Sequence, residues 1–155
     1  MKKLLIVLGS IFAAIIVIVA ILAIIFIPYW IRLNKDAKNY LTNNLPIIVA
    51  HWNPQDVIDR ATPEFITATK HQDVDKLYVM FRQLGSLKHL DTPELGNIGS
   101  QAFTNDGTYT YGNYTIHADF ENGSANISIQ LLRMGAQWKI NKFHIDSSAF
   151  LKSKI

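Results

Sequence analysis

The chain has 155 residues, 15 Lys and Arg against 12 Asp and Glu, a formal net charge of +3 and no cysteine. With Lys2 and Lys3 set aside, thirteen basic side chains stand against twelve acidic ones, so the alkaline balance reflects the N-terminus and supplies no basic stripe for nucleic acid. The lack of Cys excludes disulfides, a thiol nucleophile and thiolate metal ligands, while leaving an oxidising compartment open.

Leu4 to Ile27 form an uninterrupted apolar run, and the next charge is Arg32. At about 1.5 Å per residue a helix over this run reaches roughly 36 Å, enough to cross a hydrocarbon core of about 30 Å with some tilt. A cleavable signal peptide has an apolar core of only about 7 to 15 residues, followed by small side chains. Here the exit is Pro28-Tyr29-Trp30. An uncleaved transmembrane anchor over residues 1–31 is therefore expected, with Tyr29, Trp30 and Arg32 at headgroup level. Lys2 and Lys3 on one side nearly balance Arg32, Lys35 and Lys38 on the other. The short basic end is placed in the cytoplasm, because so few residues leave no room for a domain there. The large part then lies outside, which in a bacterium with two membranes makes a single-pass inner-membrane protein with a periplasmic domain.

Gly9, Ala13, Ile16, Ala20 and Ala23 recur along one stripe of the anchor, four of them small. Small residues let helix backbones approach closely in lipid, where packing supplies the attraction. A partner helix is implied, from another membrane subunit or a second copy, although Gly and Ala are also common in membrane spans.

Residues 32–50 read as a juxtamembrane helix or linker. No Gly or Pro interrupts Ile31 to Asn43, so the membrane helix is expected to run on until Pro46 ends it. Within residues 51–155, Asn53-Pro54 and Thr62-Pro63-Glu64 each put a capping side chain before a proline suited to a first helical turn. A third helix is capped by Asp73, carries Val74, Leu77, Tyr78, Phe81 and Leu84 at helical spacing, and stops at Gly85.

Beyond Gly85 the period changes to two. Tyr114, Ile116, Ala118 and Phe120 alternate with polar residues, as do Ala125, Ile127, Ile129 and Leu131, around an Asn122-Gly123 type I′ turn. Gly135 marks the next turn. Trp138 and Ile140 begin a third strand whose phase slips near Asn141 and Lys142, where a bulge would restore Phe143 and Ile145 to the apolar face. Leu87 to Leu90 and Gln101 to Thr110 are further strands, with Gly107 as a turn or bend.

Helices first and an antiparallel meander last describe an α+β fold. Thr62-Pro63-Glu64-Phe65, Phe81-Arg82-Gln83-Leu84-Gly85, the hairpin from Phe120 to Ala125, and Gln137-Trp138-Lys139-Ile140 with Phe143 resemble small single-anchor bacterial domains of the nuclear transport factor 2-like superfamily. The resemblance covers roughly Trp52 to Phe150. It implies a cystatin-like or nuclear transport factor 2-like cone, a curved antiparallel sheet wrapped on helices and sometimes enclosing a pocket. It implies no reaction, because that superfamily holds enzymes, scaffolds and binding modules alike.

His117 with Asp119 and His144 with Asp146 form two His-x-Asp pairs, each on one side of a strand. An intervening strand would separate them by about 9.5 Å, too far for ligands at about 2 Å from one ion, so a solvated polar face is expected and no metal. His71, Asp73 and Asp75 read as a helix N-terminus complementing its dipole. An isomerase-like pocket would need a shielded carboxylate and a phenol, types that Asp119 with Tyr109, Tyr111 or Tyr114 could supply, but tyrosines in strands more often pack. Asn113-Tyr114-Thr115, Asn122-Gly123-Ser124 and Asn126-Ile127-Ser128 match the glycosylation pattern and read as turn and strand chemistry. No hydrolase elbow, phosphate loop or dinucleotide fingerprint occurs. The expectation is a bitopic, non-catalytic binding protein without cofactor, an accessory subunit or assembly factor of a membrane complex. The alternative is a tethered pocket that binds or isomerises a small apolar ligand.

Overall fold

The computed structural model of the chain describes residues 2–69, 74–103 and 107–152. It divides into two compact units, Met1–Lys35 and Asp36–Ile155. Helix α1 (Lys2–His51) runs through the first and into the second.

In the first unit, the Ile, Leu, Val and Phe side chains from Ile11 to Ile31 are exposed on every side of the helix. A stretch apolar around its whole circumference needs an apolar surrounding. Its most apolar window has a mean hydropathy of 3.3, none of it is buried, and among the described residues this is the one helix long and apolar enough to cross a membrane. Tyr29 and Trp30 meet edge to face at 5.6 Å.

The second unit is α+β. It holds the last turns of α1, then α2 (Pro54–Ile58), α3 (Pro63–Thr69), α4 (Val74–Arg82), strands β1 (Leu87–Leu90), β2 (Glu94–Phe103), β3 (Gly107–Phe120), β4 (Gly123–Met134) and β5 (Gln137–Asp146), and the short α5 (Ala149–Lys152). All strand pairs are antiparallel and the sheet is open. Its order is β1-β3-β4-β5, with β2 also on β3, so β1 and β2 share one edge of that long strand end to end.

Pro46 does not end α1, contrary to the sequence reading; the helix continues to His51. Proline removes one hydrogen bond, to the Thr42 carbonyl four residues back. Thr42 is exposed, so water can serve that oxygen, and Leu41, Leu45, Ile48 and Val49 bury one stripe of the helix. That stripe outweighs one missing bond. The stop comes at Trp52, whose φ of 47° is left-handed. Asn53 then caps α2, its Oδ1 accepting from the Gln55 N–H at 3.1 Å, and Pro54 takes the first turn as expected. Thr62 does the same for α3, accepting from the Phe65 N–H at 3.2 Å.

The alternation of β3 and β4 is as the sequence indicates: Tyr114, Ile116, Ala118 and Phe120, with Ala125, Ile127, Ile129 and Leu131, are buried. The turn between them is one residue earlier than expected. Phe120 pairs with Gly123, leaving Glu121 and Asn122 as the two turn residues, and the positive φ, 153°, falls on Gly123 instead of Asn122. Contacts with the α4–β1 connection explain the shift. The Glu121 N–H donates to the Ser86 carbonyl and the Asn122 N–H to the Leu84 carbonyl, each at 2.9 Å, clamping the turn onto Gly85. Gly85, at φ 76°, ends the α4 segment as predicted, and a Cβ there would lie 2.9 Å from the Glu121 Cβ.

Three other expectations change. Gln101 to Thr110 is not one strand, because it straddles β2 and β3, with Gly107 (φ 90°) opening β3. Leu77 is exposed, so α4 presents Tyr78 and Phe81 to the core without it. The Asp73 cap and His71 lie outside the described residues. The bulge in β5 is where the phase slip placed it: Gln130 pairs with Lys142 and Leu131 with Ile140, leaving Asn141 as the extra residue.

Candidate functional site: an apolar cleft

The bulge, two caps and one bridge build a cleft of about 860 Å³ against α2, α3, α4 and β5. Thr62 N–H donates to the Ile140 carbonyl at 2.9 Å and Ile140 N–H to the Arg60 carbonyl at 2.8 Å, so the α2–α3 link is pinned to β5 next to the bulge. The bulge changes the strand's phase and brings Phe143 onto the cleft side. Phe65 from α3 and Tyr78 and Phe81 from α4 supply further aromatic walls, with Val57 and Leu77 among the aliphatic ones.

Behind the cleft an aromatic cluster holds Phe81 in place. Its ring lies 5.4 Å from Trp52, 5.4 Å from Tyr78 and 5.9 Å from Phe150, and Trp52 also meets Phe120 at 5.6 Å. Trp52 is 2% exposed, and its Nε1 is a buried donor without a partner among the described residues. Burial, and then the nearby Asp56 charge, push the Tyr78 phenol up to about 12, so it stays a neutral hydroxyl at physiological pH. The polar wall residue Asn141 is already satisfied. Its Oδ1 accepts from Thr62 Oγ1 at 3.0 Å and its Nδ2 donates to Gln130 Oε1 at 2.8 Å. Of the charged residues at the cleft, Glu64, Asp75 and Lys142 are all exposed.

The isomerase-like constellation is not assembled. Asp119 and Tyr114 lie on opposite faces of β3, Tyr114 being 2% exposed in the core while the Asp119 side chain is 45% exposed. Tyr109 and Tyr111 share the Asp119 face but sit at the other end of the strand, eight or more residues away, roughly 26 Å at 3.3 Å per residue. None of these four lines the cleft. Burial pushes the Tyr114 phenol up to about 12, while the Ser124 hydroxyl, donating at 2.7 Å, and the nearby histidines hold Asp119 below its ordinary range. A lowered carboxyl is a poor base at neutral pH.

The open face of the sheet carries a third His-x-Asp pair that sequence reading missed, His89 and Asp91, joined at 2.9 Å. It flanks β3, where His89 stands opposite Asp119 and His117 Nε2 lies 3.5 Å from Asp119 Oδ1. His144 and Asp146 are two strands from His117, across β4, as expected. Among the described residues no three of these side chains converge on a common point that would hold a metal ion. Farther along, an amide chain continues from Gln130 to Asn113 (3.0 Å) and from Asn113 to Asn97 (2.6 Å), crossing β4, β3 and β2. In the apolar stretch of α1, Ala13, Ile16 and Ala20 are exposed and Ala23 half-buried, while the burial of Gly9 is not among the described features.

The cleft residues escaped sequence reading because they come from four elements and meet only in the folded domain, through the bulge and the Ala61–Ile140 bridge. The available signal was an aromatic residue three positions after the Thr62 cap and another just after the phase slip, Phe65 and Phe143. Comparison with protein-family models, with curated proteins and with solved structures finds no match to the chain.

Proposed function

We propose that this chain is a membrane-anchored, non-catalytic binding protein, an accessory subunit or assembly factor of a larger bacterial inner-membrane complex, with its folded domain in the periplasm. The observation that carries this is the cleft: an open, apolar cavity walled by rings from α3, α4 and β5, whose polar wall group Asn141 is internally bonded. Such a surface contributes by contact and desolvation. The placement of Asp119 and Tyr114 on opposite faces of β3, with both outside the cleft, favours binding over proton abstraction.

The fold that goes with this reading is the nuclear transport factor 2-like cone. Its support is an antiparallel sheet buried on the Ile116 face, a bulged last strand and short capped helices beside the cleft. A second reading, a tethered pocket for a small apolar ligand, is favoured by the aromatic lining itself.

Extraction in gentle detergent, affinity purification and mass spectrometry test the proposal. A membrane-protein partner recovered in fixed proportion to the chain is expected. Recovery of the chain alone, under conditions that keep known complexes of the same membrane intact, would contradict it. Intact mass from those membranes should retain Leu4 to Ile27; a mature chain beginning near Arg32 would remove the anchor.

A further inference from the structure

We infer that the cleft takes a single lipid acyl chain, with the carboxylate or headgroup left at its charged edge; this rests on the second reading above, a membrane-tethered pocket for a small apolar ligand. The volume lies within the roughly 300–1,000 Å³ of pockets for drug-sized ligands. At about 30 Å³ per water-sized group it has room for more than twenty methylene-sized units.

Three features select a chain over a polar metabolite. The walls are aromatic and aliphatic, with Phe65, Tyr78, Phe81 and Phe143 as their largest members. The amide of Asn141 spends its oxygen on Thr62 and a proton on Gln130, and so offers little to a ligand's hydrogen-bonding groups. Glu64, Asp75 and Lys142 are exposed, which leaves both signs of charge at the solvent edge and none shielded inside. Beyond the hydroxyls of Thr69 and Tyr78 the walls offer a polar ligand few partners to replace its hydration, whereas each buried methylene is favourable. The apolar helix of the same chain supplies the source, because a domain tethered to a bilayer works beside a reservoir of acyl chains.

Photocrosslinking in native membranes tests this on the full-length chain. The probes are a diazirine-bearing palmitic acid and a diazirine-bearing lysophospholipid, whose comparison separates a free fatty acid from a lipid that keeps its headgroup. Label is expected on peptides containing Phe65, Leu77 or Phe143 as well as on the anchor. Ala68→Trp, which fills the cleft, and Leu77→Glu, an exposed position where a charge leaves the core untouched, should each lower the cleft label by about tenfold, or 1.4 kcal/mol. Unchanged thermal unfolding of Leu77→Glu keeps that comparison clean.

Label confined to Leu4–Ile27 overturns the acyl-chain proposal and leaves the anchor standing. Label on neither segment overturns the membrane reading with it. Cleft label indifferent to both variants, or crosslinks from the cleft to another protein in its place, also overturns it.

Discussion

From Ile11 to Ile31 the long helix exposes its Ile, Leu, Val and Phe side chains on all sides, Ile24 at 73% and Phe12 at 66%, whereas farther along it buries Ala37, Leu41, Leu45, Ile48 and Val49 almost completely. Backbone geometry is the same in both stretches, and the difference is the solvent each is written for. A helix apolar on every side has no face for water, while one with a single apolar stripe and exposed Lys35, Asn39 and Thr42 between has both an inside and an outside. Secondary structure therefore says little here about where the folded domain begins. Burial periodicity does, and it begins within a turn of Asp36.

The largest expected effect separates the two stretches directly. Leu45→Ala removes a fully buried side chain and should destabilise the domain by about 2–5 kcal/mol, while Leu22→Ala should stay within about 0.5 kcal/mol. Thermal unfolding of the full-length protein, followed by its β-sheet circular dichroism, reads both; equal shifts would mean that both stretches pack in the same way. Next comes Gly123→Val. It forces a β-branched residue to φ 153° and sets a Cβ 3.2 Å from that of Ala149, at a cost of about 1–3 kcal/mol. An unshifted midpoint would show that the hairpin turn lies elsewhere.

Replacing Ala13 and Ala20 by Leu should leave unfolding of the domain unchanged and weaken a helix contact in lipid by about 1–2 kcal/mol. Identical crosslinking before and after the change would reduce the stripe to ordinary membrane composition.

The smallest effect concerns pH. A hydrogen bond with Asn126, then the Asp119 and Asp91 charges, raise His117 above its ordinary 6.5, and Asp119 is lowered below 3.8. The raised histidine stabilises the fold below pH 6.5, an effect lost as pH climbs through its folded value. The lowered carboxyl stabilises above 3.8, an effect lost as pH falls through its own. A shallow stability maximum between the two is expected, and Asn126→Ala should move the His117 NMR titration downward. No movement would remove that hydrogen bond as the main cause.

Period-two alternation made β3, β4 and the β5 bulge legible, because one buried face writes directly into sequence. Pro46 misled because a local rule was overridden by the stripe from Leu41 to Val49, whose burial depends on distant partners. Strand β2 is interrupted by a register shift at Gly96, the extra residue between Leu95 opposite Tyr114 and Asn97 opposite Asn113, and it begins before the Gln101 at which the sequence reading starts a strand. The Asn122-Gly123 pair marks a turn in the sequence, but the structure sets it one residue earlier, because the carbonyls of Leu84 and Ser86 that fix it are far away along the chain. The cleft was least legible of all. Its walls come from four elements, aligned by the bulge at Asn141 and the bridge between Ala61 and Ile140.

The chain's lack of cysteine makes the central claim, a lipid-embedded helix joined to a water-exposed sheet domain, directly measurable. Single substitutions Ile18→Cys and Ser128→Cys are reacted with a charged maleimide in sealed and in detergent-opened membranes. Cys at 128, on the exposed face of β4, should label as soon as the reagent reaches its side of the membrane, and Cys at 18 only after detergent disrupts the bilayer. Equal labelling of both positions in membranes, without detergent, would contradict the account.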